Sequence, residues 1–237
     1  MHPRPASPPA PQADPQPTPQ SSLGRFGTLG VLGGTGPQGR GLARRLALAG
    51  LPVVLGSRES DRAARVAADL PAGVRGMSNA DCAAAADLVV VAVPYAGHAD
   101  LLRELATTLA GKVVIDCVNP LGFDPQGAFA LDVAEGSAAQ QAAALLPEAT
   151  VVAAFHHVSA VLLEDPAVTS LDTDVLVLGD DRAATDLVAD LVGLIPGMRG
   201  IYAGRLRNAR QVEAMTANLI AVNRRYRAHA GLRVTDV

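Results

Sequence analysis

The segment Leu29–Arg40 reads Leu-Gly-Val-Leu-Gly-Gly-Thr-Gly-Pro-Gln-Gly-Arg, and it constrains the fold more than any other stretch. A short apolar run ends in clustered glycines, and an amphipathic pattern from Leu42 to Leu48 follows at once. That order predicts strand, tight turn, helix. Gly34, Gly36 and Gly39 stand at the G-x-G-x-x-G spacing of a dinucleotide-binding turn. The spacing assigns Gly34 to the turn, Gly36 to the close approach of a pyrophosphate and Gly39 to helix–sheet packing. Pro37 suits the first helical turn, where its missing N–H has no intrahelical partner. The helix N-terminus then faces the phosphates with free N–H groups and a partial positive charge.

The rest of the chain repeats the alternation. Strands are predicted at 28–32, 52–56, 74–77, 87–93, 112–116, 150–155 and 173–178, with a short edge strand at 199–202. Helices are predicted at 37–49, 61–70, 98–109, 137–146, 182–194 and 207–227, with a short one capped by Asn79 and running to Ala86. Asp87–Val93 is the clearest strand, an unbroken apolar run of the kind that parallel sheets bury on both faces. Residues 119–136 read as loop. The pattern predicts an α/β fold, a Rossmann-type doubly wound parallel sheet with a smaller C-terminal α/β part ending in a long helix. The expected divisions are a Pro-rich tail (1–26), a dinucleotide-binding domain (27–155) and a C-terminal part (156–237).

Composition narrows the class. Hydrophobic residues make up 49% of the 237, enough for a large core. No apolar run approaches the roughly 18 residues of a membrane span, so a soluble protein is expected. The net charge of −3 carries no basic field of the kind nucleic acid requires. Two cysteines make no disulfide framework, which points to a reducing, cytoplasmic setting. Eight prolines precede Gln20 with no apolar signal-peptide core among them, which predicts an extended tail.

The second strand discriminates between dinucleotides. NAD proteins usually end it with an acid that binds the ribose 2′-OH. Here it ends Gly56-Ser57-Arg58, with Arg62 one helical turn on. A serine hydroxyl and two guanidinium groups suit a 2′-phosphate, so NADP(H) is the expected cofactor. Glu59 is expected to point away if Arg58 faces the ribose.

At this point the chain resembles the F420-dependent NADP oxidoreductases. The residues that carry the resemblance are Gly33 to Gly39, Gly56-Ser57-Arg58, Val93-Pro94-Tyr95, Ala154 to Ala160, Gly179-Asp180-Asp181 and Ala203 to Arg210. It spans residues 29–232 in order. The resemblance implies a small homodimer that moves hydride between NADP(H) and the 5-deazaflavin coenzyme F420. It implies NADP contacts from Thr35, Gly36, Pro37, Gln38, Ser57, Arg58 and Arg62, and contacts nearer the nicotinamide from Val93, His98, Asn119, Ala160 and Leu232. Ser159 stands where the family's motif usually has proline.

Hydride transfer asks a protein to hold two rings face to face and exclude water, rather than to shuttle protons. No Ser–His–Asp arrangement and no metal-ligand spacing is recognisable. His156 is the candidate catalytic contact, a donor to the deazaflavin carbonyl region where negative charge collects on reduction. Adjacent His157 is expected to point to the opposite face; one of the two is alternatively a core residue. The arginines at 205, 207, 210, 224, 225 and 227 are either a solvated helix face or a site for the coenzyme's anionic tail. The stripe Val212, Met215, Leu219 and Val222 is either core or dimer interface. An NADP-dependent reductase of a small imine or carbonyl, and a non-catalytic NADP(H) sensor, would use the same fold.

Overall fold

The computed structural model describes residues 23–237; most of the Pro-rich segment lies outside them. Leu29–Leu32 (β1), Pro37–Leu48 (α1), Val53–Ser57 (β2), Ser60–Ala68 (α2), Arg75–Ser78 (β3), Asn79–Ala85 (α3) and Leu88–Val91 (β4) open the chain. His98–Leu109 (α4), Val113–Asp116 (β5), Leu121–Asp124 (β6), Gly127–Ala130 (β7), Ala138–Leu145 (α5) and Thr150–Ala153 (β8) follow. The chain ends with Ala160–Glu164 (α6), Thr173–Gly179 (β9), Arg182–Gly193 (α7), Met198–Gly204 (β10) and Ala209–Tyr226 (α8).

Eight strands form one sheet in the order β10-β9-β8-β5-β4-β1-β2-β3. Neighbours are parallel except β8 and β9, which are antiparallel. The C-terminal strands therefore continue the dinucleotide-binding sheet, and the expected parallel sheet is present with β8 and β9 as its one antiparallel pair. β1, β2 and β4 are buried along their whole length, which is why their sequences are continuously apolar. β3 lies at the edge and is half-exposed, which accounts for its weak sequence signal. Leu42, Leu46, Leu163 and Val188 pack on one sheet face; Ala83, Leu102, Leu105, Ala138 and Val212 pack on the other.

Several local expectations are corrected. The left-handed residue of the glycine turn is Gly33, at φ 69°, and not Gly34. Gly34 is required by packing instead: a Cβ there would sit 2.5 Å from the Leu55 side chain and 2.8 Å from the Val31 carbonyl oxygen. Ser78, not Asn79, caps α3, its hydroxyl accepting from the Asp81 amide at 3.0 Å. The expected loop at 119–136 contains the β6–β7 hairpin. Its turn is Asp124-Pro125-Gln126-Gly127, an order that β-turns favour, with the Asp124 carboxylate accepting from the Gln126 and Gly127 amides. At the end of the expected tail, Gly24–Phe26 forms a 3-10 turn, and Phe26 is buried in the core.

α6 escapes sequence periodicity because it spans five residues. It lies against α1, where a Cβ on Gly41 would meet Leu163 Cβ at 2.5 Å. The Arg45 side chain fixes the pair. Its guanidinium donates to the carbonyls of Leu162 (2.6 Å) and Leu163 (2.8 Å), orphan acceptors in the last turn of α6, and to those of Asp165 (2.9 Å) and Val168 (2.5 Å) just beyond it. Arg45→Ala should lower unfolding free energy by about 2–4 kcal/mol, because those acceptors lose a charged donor. Urea denaturation measures it, and a loss under about 0.5 kcal/mol, typical of ordinary surface changes, would contradict this role.

Candidate functional site

The sheet order reverses between β1 and β4, and a crevice opens beyond the carboxyl ends of those strands, where open α/β sheets bind ligands. Two clefts meet there. One, of about 480 Å³, is lined by Gly33, Thr35, Gly36, Ser57, Arg58 and Arg62, among others. The second, of about 460 Å³, is lined by residues including Pro37, Gln38, Asn119, His156, Ala160 and Thr216. Gly36, Ala92, Val93 and Pro94 line both, so the clefts form one continuous groove.

The first cleft has the chemistry of a phosphate cradle. Gly36 is the N-cap of α1 and Pro37 its first residue. A Cβ on Gly36 would have the Gly33 carbonyl, at 3.6 Å, as its nearest neighbour, so space lies open over the helix N-terminus. Gly39 is closed off: a Cβ there would lie 2.8 Å from Gly34 Cα. Ser57 Oγ accepts from the Glu59 amide at 3.3 Å, which leaves its hydroxyl hydrogen for an anion. Arg58 and Arg62 are exposed, and among the described residues neither makes an ion pair. Glu59 also lines this cleft, contrary to the expectation that it points away. Asn79 belongs here too. Its Oδ1 accepts from the Gly33 amide at 3.3 Å and braces the left-handed turn. These residues fit a dinucleotide with a phosphorylated ribose.

The second cleft is walled by the segment after β8. Phe155 holds a left-handed conformation, φ 64°, a strain of about 1 kcal/mol or more that clusters at functional sites. Its carbonyl accepts from Gln38 Nε2 at 3.1 Å, tying the wall to α1. β8 ends at Ala153, so His156 and His157 lie in the turn beyond it; both line the cleft, with the His156 ring toward Asp116 of β5 and the His157 ring toward Leu176 of β9. The His156 carbonyl is held by Asn119 Nδ2 (2.8 Å) and Thr216 Oγ1 (3.2 Å). The His156 ring is buried, and neither ring nitrogen has a partner among the described residues. Burial pushes it down to about 4, so the imidazole is neutral at physiological pH and carries one N–H. His157 is likewise lowered by burial to about 4, and its Nε2 accepts from the Leu176 amide at 3.4 Å. Ser159 has φ −67°, the angle proline imposes, so this backbone matches that of a proline at the same position.

Two expected contacts lie elsewhere. The His98 ring is fully buried, and its nitrogens meet Asp116 Oδ2 at 2.6 Å and Gln141 Oε1 at 3.0 Å; it lines neither cleft. Leu232 also lines neither; its carbonyl accepts from the Asp174 amide at 2.7 Å and secures the C-terminal segment beside β9. The arginines near the C-terminus are outside both clefts, with Arg205 near Asp180 (3.7 Å) and Arg210 bonded to Asp132 (2.6 Å). The apolar stripe of α8 divides: Val212 is core, Leu219 lines the second cleft and Val222 is exposed. Thr216, Leu219, Ile220 and Asn223 form a cleft wall that only the i, i+3, i+4, i+7 spacing of α8 could have signalled. Among the described residues, no group of three His, Cys, Asp or Glu side chains could hold a metal ion, and no helix is long and apolar enough to cross a membrane. Cys82 and Cys117 are free and buried; burial raises both thiols, Cys82 to about 12.

The sheet order, the glycine turn and the phosphate cradle define a Rossmann-type dinucleotide-binding protein. The profile of the family described as NADP oxidoreductase, coenzyme F420-dependent, matches residues 28–120. Over 221 residues the chain is 38% identical to the F420-dependent NADP reductase of Methanothermobacter thermautotrophicus, covering 88% of this chain and 95% of that protein. It is 34% identical over 221 residues to the F420-dependent NADP reductase of Methanocaldococcus jannaschii, covering 88% and 98%. A crystal structure from Arthrobacter sp., described as a candidate F420-dependent NADP-reductase, superposes with a TM-score of 0.76 at 30% identity, covering 87% of this chain and 98% of that one. The chain belongs to the F420-dependent NADP reductase family. Imine reductase and pyrroline carboxylate reductase structures, at 18% and 13% identity, share the fold.

Arg58→Ala should raise the KM for NADPH at least tenfold, about 1.4 kcal/mol, and leave that for NADH nearly unchanged. Steady-state kinetics with both nucleotides measures this, and equal effects would contradict a 2′-phosphate contact.

Proposed function

We propose that this protein is an NADPH:F420 oxidoreductase, transferring hydride between NADP(H) and the deazaflavin. The observation that carries the proposal is the continuity of the two clefts. A phosphate cradle opens at Gly36, Val93 and Pro94 into a second space of similar volume. A sensor needs no second space, and the fold likeness to imine reductases adds no chemistry. When bound, NADP(H) supplies or accepts the hydride.

The protein's part is placement. Thr35, Gly36 and the N-terminus of α1 bind the pyrophosphate, with Gly34 and Gly39 allowing the close packing behind it. Ser57, Arg58 and Arg62 bind the 2′-phosphate. Gly36, Val93 and Pro94 lie where the clefts join, on the path between the two rings, with Pro37 and Gln38 just inside the second cleft. Ala160 and Asn119 line the second cleft, where the nicotinamide meets the deazaflavin. His156, neutral and unpartnered, donates to the carbonyl end of the deazaflavin, where reduction places negative charge. A neutral donor strengthens its bond as that charge grows, and it needs no proton transfer.

Purified protein with NADPH and oxidised F420 should bleach the deazaflavin's visible absorbance, while NADH should do so far more slowly. NADPH binding without bleaching would sink the proposal. His156→Ala should lower kcat about tenfold or more, with the KM for NADPH unchanged, and His157→Ala should spare kcat.

A cytoplasmic homodimer belongs to the same proposal. Phe123 and Phe129 of the hairpin, and Val222 and Tyr226 of α8, are exposed apolar side chains suited to cover by a second copy. Sedimentation should give twice the chain mass; a single chain at tens of micromolar would contradict it.

A further inference from the structure

His98 is fully buried and lies outside both clefts, yet it stands at the junction of their walls. It is the first residue of α4, directly after Pro94, Ala96 and Gly97, which line the dinucleotide cleft. Its Nε2 lies 2.6 Å from Asp116 Oδ2. The other carboxylate oxygen of Asp116 accepts from the Val118 amide at 3.0 Å. Cys117, Val118 and Asn119 line the second cleft. Asn119 in turn holds the His156 carbonyl at 2.8 Å. A continuous chain of hydrogen bonds thus runs from His98 through Asp116 and Val118 to the segment that carries Asn119.

The directions of these bonds set the ring's protons. Gln141 Nε2 donates to Glu135 Oε2 at 3.1 Å, so the Gln141 amide oxygen faces His98 Nδ1, 3.0 Å away. An amide oxygen only accepts, so Nδ1 carries a proton. Nε2 faces a carboxylate at a distance typical of a charge-assisted bond.

We infer that His98 is held as an imidazolium, and that this charge is the positioning element that orders residues 117–119 against the reacting rings. The inference rests on the hydride-transfer function proposed above. The groups facing the ring are Asp116 from β5, Gln141 from α5, Glu213 from α8 and the Tyr95 ring, centred 6.2 Å away. Burial alone would lower His98. The Asp116 hydrogen bond and charge, with smaller help from Gln141 and Glu213, outweigh it and leave His98 raised. Glu213 is raised by burial to about 7, although it accepts from the Ala138 and Ala139 amides, so its charge reinforces the imidazolium as pH rises through neutrality. Cys117 and His156 flank Asp116; burial raises the first and lowers the second, so both are neutral at physiological pH and add no charge.

The sign follows from the direction. A raised histidine contributes fully below its unfolded value near 6.5 and loses its contribution as pH rises through the higher folded value. Activity should therefore fall on the alkaline side. Lost charge at His98 loosens the 117–119 wall and leaves the phosphate cradle intact.

The test uses full-length protein labelled with ¹⁵N-histidine and ¹⁵N-asparagine, with His98→Gln to assign the signal. At pH 7.5 both His98 ring nitrogens should be protonated, and the Asn119 side-chain amide should shift in the variant. In His98→Gln, kcat should fall about tenfold, the size expected of a lost positioning contact. NADPH binding, read by fluorescence titration, should stay within twofold of wild type. The alkaline limb of kcat should vanish in His98→Gln. In Gln141→Met, which spares the Asp116 bond, the limb should move to lower pH by about one unit. A neutral ring at pH 7.5 would overturn the inference, as would variants with the wild-type pH profile and kcat. Failure of wild-type protein to reduce F420 would instead overturn the proposed function; the ring protonation and the Asn119 shift would still decide the charge and its reach.

Discussion

A methyl group on Gly39 would lie 2.8 Å from Gly34 Cα, and one on Gly34 would press 2.5 Å from the Leu55 side chain. This close approach of α1 to β1 and β2 is the constraint on which the rest of the molecule depends. It brings the N-terminus of α1 over the point where the strand order reverses, so the backbone donors there face open space rather than side chains. It also sets how α6 can dock, because α1 carries both Gly41, which admits Leu163, and Arg45, which caps the far end of α6. The wall of the second cleft is thereby built on the same helix that opens the first.

The second cleft is polar in backbone and nearly uncharged in side chain. His156 is buried and neutral, the thiol of Cys117 is held protonated by burial, and Asn119 and Thr216 spend their polar groups on the His156 carbonyl. Such a site can hold and desolvate rings. That suits hydride transfer, in which the cofactors supply the chemistry. The charge that matters is set back, in the His98–Asp116 pair, where it orders the wall without competing for the ligand.

How much of this was legible in the sequence depended on the range of the contacts. β4 was plain because both its faces are buried, and the phosphate cradle because glycine turn, Ser57 and Arg58 lie at short, regular offsets. Gly33 was passed over for Gly34 because motif spacing does not report φ, whereas packing against Leu55 does not depend on it. The β6–β7 hairpin was read as loop although its Asp-Pro-Gln-Gly turn was visible, since two four-residue strands around glycines carry little alternation. His98 was expected near the nicotinamide because the family resemblance implied it. Its partners lie 18 and 43 residues away, and no spacing rule links them. Of the α8 face that lines the second cleft, only Leu219 belonged to the stripe read as core or interface, because apolar periodicity cannot say what a face meets.

The most direct measurement is a single turnover with NADPH carrying deuterium at both hydrogen positions of the nicotinamide carbon that gives up the hydride, followed by mass analysis of the reduced deazaflavin. Direct transfer between two rings held in one groove predicts one carbon-bound deuterium in the reduced deazaflavin, and none bound to carbon there when unlabelled NADPH is used in D₂O. Deuterium lost to solvent, or reduction without label, would contradict the account.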